Sequence, residues 1–346
     1  MTTTSTPVSL KFLAKHLALS PTTVSLVLNE SPRANSIPQA TKDRIRDAAR
    51  TFNYRPNFFA RYLNDKRSFT VAVIIPEIAE GYGASVVSAI ERRLTQERYR
   101  PLFASHRWSA ELIEETPRQL LERGVEGFIL VNMPLEHSLP VPVVNIGGRK
   151  PLKGVTNILL DNHRAGRLAM EHLARLGHKR IAFFKGHPES ADTEDRWQGI
   201  HDAAARLGIN IDPDLTLQLQ RQPFLPGPPV PEEGYMYAQK LLARKKNFTA
   251  LFAFNDISAI GAMSAFRDNG LRVPEDVSII GFDDIQAAAF MNPPLTTVRQ
   301  PLEEMGSLAA KILLRRIRHV ESLPEQVSVQ PDLVVRQSTC APALDR

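Results

Sequence analysis

Two side chains in 20-SPTTVSLVLN-29 are placed to read something outside the chain. At about 100° per helical residue, Val24, Val27 and Leu28 share one face, while Leu26 points roughly 160–200° away, beside Thr22. A threonine can bond either kind of base edge or touch a thymine methyl; a leucine offers only apolar contact, most naturally to that methyl. The alternative for Leu26 is packing on another part of the same protein. Residues suited to catalysis are not arranged for it. His163, His172, His178 and His187 are spaced nine, six and nine residues apart, so no two share a helical face as metal ligands at i, i+4 would. They read as unrelated surface or capping histidines, and no metal is expected. There is no Gly-x-Gly-x-x-Gly, no Walker-type loop and no Gly-x-Ser-x-Gly. Binding without turnover, and without a cofactor, is the expectation. Cys340 is the only cysteine, which rules out an internal disulfide, fits a reducing compartment and reads as a bystander.

The elements that must carry Thr22 and Leu26 can be read from their punctuation. Ser9 is a plausible N-cap, with Val8 and Leu13 spaced as a hydrophobic staple and Leu10, Leu13, Ala14 and Leu17 as the apolar stripe of a helix ending near Ala18. Ser20 then caps a second helix with Pro21 at its first position. Ser36 followed by Gln39 has capping-box spacing for a third, with Ile45, Ala48, Ala49 and Phe52 as its stripe. A helix, a tight turn and a second short helix form the arrangement that lays its second helix in the DNA major groove. Charge points the same way. Residues 1–70 hold eleven Lys and Arg against four acidic residues, a surplus of seven in a chain whose whole surplus is six. A basic excess confined to one small segment favours a polyanion partner, nucleic acid above all.

The chain has 346 residues, 43% hydrophobic and 23% charged, room for two or three ordinary domains. Its first residues, MTTTSTPVSL, show no export signal, and no run approaches the roughly 18 apolar residues of a membrane span. No membrane partner and a cytoplasmic location are expected. From residue 70 onward, apolar runs (70–76, 100–105, 125–132, 180–186, 250–256, 277–284) alternate with helical stretches near 84–99, 109–123, 195–207 and 257–269. Such alternation means parallel sheets with helices on both faces, and two such units invite a cleft between them. The loop 223-PFLPGPPVPEEG-234 should be a stiff surface excursion.

The runs 8-VSLKFLAKHLALSPTTVSLVLN-29 and 41-TKDRIRDAARTFNYRPNFFARYLNDKRS-68 resemble the lac repressor family of bacterial transcription factors. The resemblance implies that Pro21, Thr22 and Leu26 face bases, with Ser20, Thr23, Ser25 and Asn29 nearer the phosphates. Where this chain has Leu26 the family usually carries an arginine. In 56-PNFFARYLNDK-66, Asn57 would cap a helix of about seven residues, too short to stand alone in water. The family supplies its partners, namely the same helix of a second subunit and the DNA minor groove, with Leu63 as the wedge that bends the duplex and Arg61 at phosphate or groove. A partly ordered basic linker is the alternative reading of this segment.

The likeness continues through 143-VVNIGGR-149, 161-DNHRAGRLAMEHLARLGHKRIAFF-184, 254-FNDISAIGAM-263 and 274-PEDVSIIGFDDIQAAAFMNPPLTTVRQP-301. It implies an effector-binding core related to periplasmic sugar-binding proteins, two Rossmann-like subdomains joined by three crossings. The implied organisation is a helix-turn-helix domain over 1–55, a hinge helix and linker over 56–68, and a core over 69–340. Within the core, an N-subdomain takes about 69–176 and 297–328, and a C-subdomain about 177–296 and 329–340. Matching positions make Arg196 and Asp256 the first choices for effector contact, then Asp161 and Asn145, with Asn255 at a strand end. Asp283 is divided evenly between ligand contact and tying loops together. Tyr82 and Trp108 sit in loops that depart from the family pattern and are candidates for stacking on a sugar ring. The expected protein is a homodimeric regulator, most simply a repressor, on a pseudo-palindromic DNA operator in the nucleoid, controlled by a small molecule of carbohydrate type. The rivals are a sugar-binding protein or an enzyme on the same α/β core without specific DNA reading.

Overall fold

The computed structural model describes residues 8–29, 31–54, 67–77, 81–148, 150–188, 190, 192–220, 230–319 and 324–343. The chain divides into two compact units, with the boundary between Ser68 and Phe69. The expected hinge helix, with Asn57, Arg61 and Leu63, lies outside the described residues, as does most of the proline-rich loop.

The first unit holds α1 (Leu10–Leu17), α2 (Pro21–Leu28) and α3 (Gln39–Thr51). Ser9 Oγ accepts from Phe12 N at 3.2 Å, and α1 ends at Ala18 in the left-handed region, φ 53°. Ser20 Oγ accepts from Thr23 N at 3.1 Å and Pro21 takes the first helical position, where its missing N–H costs nothing. The third start departs from expectation. Ser36 closes a 3₁₀ turn, Pro32–Ser36, and donates to Arg33 O, while α3 opens at Gln39 behind Pro38 with no side-chain cap. Proline pre-sets the backbone there, so the Ser36–Gln39 spacing is coincidental. Leu13, Leu17, Val24, Val27 and Ile45 bury together, each contributing about 1.5–3 kcal/mol, as so small a unit requires.

The second unit is two six-stranded sheets. The first, in order β11-β5-β4-β3-β1-β2, joins β1 (Thr70–Ile75), β2 (Arg100–Ser105), β3 (Phe128–Val131), β4 (Val143–Ile146), β5 (Val155–Leu160) and β11 (Gln326–Val329), all parallel. Its helices are α4 (Tyr82–Gln96), α5 (Ala110–Glu122) and α10 (Leu302–Ile317). The second, in order β12-β10-β9-β8-β6-β7, joins β6 (Ile181–Lys185), β7 (Thr216–Gln218), β8 (Ala250–Phe252), β9 (Ser278–Asp283), β10 (Thr296–Arg299) and an antiparallel edge, β12 (Asp332–Val334). Around it pack α6 (Asn162–Leu176), α7 (Asp192–Leu207), α8 (Pro231–Ala243) and α9 (Asp256–Asp268). Strand side chains alternate between the faces: Ile181 and Phe183 join the core under α6 and α7, while Ala182 and Phe184 join that under α8 and α9. Strands covered on both faces read as continuous apolar runs.

The chain crosses between sheets after β5, after β10 and after β11. The first two crossings differ from the expected boundaries. Helix α6 packs on α7, β10 and β12 of the second sheet, so the chain has crossed by Asp161 and not at residue 176. Likewise β10 belongs to the second sheet, which moves the return from residue 297 to Gln300.

Candidate functional site

On α2, Pro21 and Thr22 are exposed, and Leu26 is half-buried against the edge of the small core. The outward face is therefore divided, with Thr22 free and Leu26 partly engaged by its own unit. Ser20 and Thr23 share a hydroxyl hydrogen bond of 2.8 Å, and Asn29 Nδ2 donates to Ser25 Oγ at 3.1 Å. Lys11, Lys15, Arg33, Arg46 and Arg50 are exposed on the same unit.

In the second unit the carboxyl ends of the parallel strands deliver side chains to one cleft, of about 980 Å³ including its open mouth. Tyr82 comes from the first turn of α4, Trp108 from the turn after β2, Asn132 from the end of β3, and Asp192 and Arg196 from the first turns of α7. Phe254 and Asn255 come from the β8–α9 turn, Asp283 from the end of β9, and Gln300 from the second crossing. Tyr82, Trp108 and Phe254 supply flat apolar faces, and the carboxylates and amides supply directional bonds, a composition suited to a small polar ring.

Arg196 is 4% exposed and held on four sides. Its Nε donates to Asn162 Oδ1 at 3.1 Å and its Nη1 to Phe254 O at 2.7 Å, while the guanidinium carbon lies 3.3 Å from the Phe282 ring centroid and 4.6 Å from that of Phe254. Asn162 in turn donates to Asp192 Oδ1 at 2.9 Å. Burial pulls the Arg196 pKa down, opposed by the nearby charges of Asp192 and Asp283. At Asp283 burial dominates and pushes the carboxyl up to about 7, against the pull of Arg196 and a 2.6 Å hydrogen bond from Gln300 Nε2. Asp283 also sits at φ 111°, a strained backbone for a residue with a side chain, of the kind that gathers at binding sites. It both faces the cleft and holds the crossing segment. Burial likewise raises the Tyr82 phenol, reinforced by Asp192 and Asp283.

Arg196, Asn255, Asp283, Tyr82 and Trp108 are thus brought together, but three expected contacts are not. Asp256 is fully buried behind the cleft, where Oδ1 accepts from Thr297 Oγ1 at 2.6 Å and Oδ2 from Ile285 N at 2.9 Å. It ties α9 to β10 and to the turn after β9. Asp161 caps α6 by accepting from Arg164 N at 2.9 Å. Asn145 donates to Met133 O at 2.9 Å and lines a separate hollow with Leu152 and Asn157. The resemblance implied contact at each of these positions; in the structure their hydrogen-bond partners hold these side chains elsewhere.

The sequence reading also missed several lining residues. Helix α7 starts at Asp192, one turn earlier than expected, and so puts Asp192 and Arg196 at i, i+4. His187 lines the cleft, with Nε2 3.4 Å from Glu233 Oε2 and Nδ1 buried without a partner. Nor are all four histidines at the surface. His178 is buried between Thr249 Oγ1 at 2.8 Å and Cys340 O at 2.9 Å, and His172 bonds Thr339 Oγ1 at 3.0 Å. Among the described residues no group of His, Cys, Asp or Glu is arranged to hold a metal ion.

Comparison with known proteins places this geometry in context. Residues 10–57 match the family described as bacterial regulatory proteins, lacI family, and residues 170–339 match the periplasmic binding protein-like domain. The HTH-type transcriptional repressor PurR of Haemophilus influenzae is 31% identical over 345 residues, spanning 95% of this chain and 98% of that protein. The structure of the lac repressor dimer bound to operator and the anti-inducer ONPF superposes with a TM-score of 0.85 at 27% identity, covering 97% of this chain and 100% of that one. The complex of the transcriptional regulator CelR with cellobiose gives a TM-score of 0.68 at 28% identity, over 96% and 99% of the two chains.

Proposed function

The chain belongs to the lacI family of bacterial regulatory proteins, with a DNA-binding helix-turn-helix and an effector-binding core, and on that premise we propose a homodimeric repressor whose hold on a pseudo-palindromic operator is set by a sugar-type effector in the cleft. The observation that carries this reading is the cleft, built from strand ends, helix starts and the loops that join them, in a chain that opens with a capped helix-turn-helix. Because the cleft draws on both sheets, a ligand that prefers one separation of the sheets shifts the population toward it. Gln300, on a crossing and bonded to Asp283, ties the lining of the cleft to a segment that joins the two sheets.

At the DNA, Thr22 and Pro21 are assigned to bases with Leu26 beside them, and Ser20, Thr23, Ser25 and Asn29 to the backbone. Asn57, Arg61 and Leu63 are assigned to the hinge and minor groove. Phe290, 80% exposed on the 3₁₀ turn Gln286–Phe290, offers apolar surface to a second copy, in keeping with a dimer. In the described residues no helix is long and apolar enough to cross a membrane, and a DNA target assigns the working protein to the cytoplasm. The relatives are transcriptional regulators, and the proposed activity is binding without turnover.

Selection of bound duplexes from a random DNA pool by the purified protein, followed by sequencing, tests this function. Enrichment of a two-fold symmetric motif is the expected result. Recovery of unrelated sequences with weak, salt-sensitive binding would overturn it.

A further inference from the structure

The lining of the cleft is poor in cationic groups and rich in carboxyl groups: among the described lining residues one arginine stands against Glu77, Asp192 and Asp283. Arg196 is the only Lys or Arg among the described lining residues. A phosphate or carboxylate is best gripped through two parallel N–H groups of one guanidinium. Here Nε is committed to Asn162, which removes one of the two parallel donors of the Nε edge, one Nη1 hydrogen is taken by Phe254 O, and aromatic rings flank the guanidinium. Three helices start at the cleft, and helix starts attract negative charge; that of α4, behind Gly81, carries neither a side-chain cap nor an acidic residue in its first turn, but Glu77 lines the cleft as well. That of α7 is filled by Asp192, Glu194 and Asp195 of its own first turn, and that of α9 by Asn255 in a capping box followed by Asp256. An incoming anion would meet instead the carboxylates of Glu77 and Asp192, with Asp283, pushed up to about 7, adding charge as pH rises through that value. What the cleft offers is hydrogen-bond acceptors. Its two aspartates face a single guanidinium, and His187, with Nε2 turned to Glu233, leaves buried Nδ1 free to accept.

We infer that the effector is uncharged or amine-bearing, donating hydrogen bonds from hydroxyl or amino groups to Asp192, Asp283 and His187, and that phosphorylated and carboxylated sugars are rejected. The inference rests on the effector reading of the cleft, and it makes charge, before shape, the first filter on the ligand.

Trp108 lines the cleft and the only other tryptophan is Trp197, so quenching measured on the full-length protein and on Trp108→Phe isolates the cleft signal by difference. Caesium, acrylamide and iodide serve as cationic, neutral and anionic quenchers at constant ionic strength. With each constant divided by that of the same quencher on free N-acetyltryptophanamide, caesium should quench Trp108 at least about twofold more effectively than iodide, and the order should narrow in Asp192→Asn with Asp283→Asn. Iodide equal to or better than caesium in the wild-type protein overturns the inference, whatever the variants do. In the same buffer, glucose, ribose and glucosamine are compared with glucose 6-phosphate and ribose 5-phosphate by thermal shift. A neutral or amino sugar that stabilises the protein while its phosphate does not supports the inference. A phosphate ester that stabilises the wild type but not Arg196→Ala overturns it while leaving the effector reading intact. A cleft that excludes iodide yet binds none of these sugars supports the charge assignment and counts against the sugar reading alone.

Discussion

At the scale of single residues, Asp256 and Arg196 look alike in sequence, each a charged group at the start of a helix that follows a strand, and the structure gives them opposite work. Removing the Asp256 carboxylate leaves Thr297 Oγ1 and Ile285 N buried without their acceptor, and each such orphan costs about 1–3 kcal/mol. Asp256→Ala should therefore lower the urea midpoint strongly. Ligand affinity of the folded fraction should change little, since Asp256 does not line the cleft. Arg196→Ala should do the reverse at the functional level and abolish the effector response while operator binding persists. An operator-release titration that still responds in Arg196→Ala would remove Arg196 from the site. On the DNA side, Thr22→Ala should lose about 1–3 kcal/mol of specific binding at one or two base positions and leave random-sequence binding nearly intact, measurable by competition against mutated operators. Leu26 is a mixed case. Half-buried against the small core, it would report stability and recognition together, so Thr22 is the cleaner probe.

At the scale of elements, the cleft depends on helices that approach more closely than side chains allow. Helix α9 crosses α8 at Gly261, where an added Cβ would meet Pro231 O at 1.8 Å and Tyr235 N at 2.6 Å. These are backbone atoms and cannot swing aside. Gly261→Ala should push α8 from α9, destabilise the core by about 1–3 kcal/mol or more through overpacking and disturb the Asn255 cap that faces the cleft. Chemical denaturation and effector affinity should fall together in this variant. Helix propensity alone argues the other way, since alanine in a helix interior is favoured over glycine by about 1 kcal/mol. A stabilised Gly261→Ala would show that the two helices are free to separate.

At the scale of the whole molecule, pH acts through groups of opposite sign. Asp283 titrates at about 7 when folded against an ordinary value of 3.8, so the folded state holds the extra proton between those values and stability falls as pH rises through that window. Wild type should lose stability relative to Asp283→Asn from about pH 4 to about 7, with the difference constant above it. His172 and His178 are shifted down from 6.5 by burial, so their contribution is complete above 6.5 and is lost as pH falls below it. Unfolding of His178→Gln measured from pH 8 to 5 should accordingly show a smaller loss on acidification than wild type. A His178→Gln curve parallel to wild type would mean that this histidine stays neutral for reasons other than its buried bonds. DNA affinity belongs to this scale as well, because the positive surplus sits in residues 1–70 and makes binding steeply salt-dependent.

Local chemistry was legible without coordinates. Ser9, Ser20 and Pro21 cap the helices where their hydroxyls and fixed φ dictate, and apolar runs such as 70-TVAVII-75 and 278-SIIGFD-283 become strands because only sheets covered on both faces bury such runs completely. The same local grammar failed at Ser36, where Pro38 settled the helix start by a stronger steric constraint. Resemblance in sequence named Arg196 and left Asp283 evenly divided between ligand contact and a loop tie, and it could not separate them from Asp256, Asp161 and Asn145. A side chain's direction depends on the loop that carries it and on the partner that reaches it first. Thr297 and Ile285 stand 41 and 29 residues beyond Asp256, and no spacing within the chain announces that they will capture its two oxygens. For the same reason His187, Asp192 and Gln300 emerged as one wall only when strands from two sheets had been brought end to end. Capping, periodicity and charge act over a few residues and belong to the sequence; which acid meets ligand and which meets backbone is decided by contacts that exist only once the chain has crossed between its sheets.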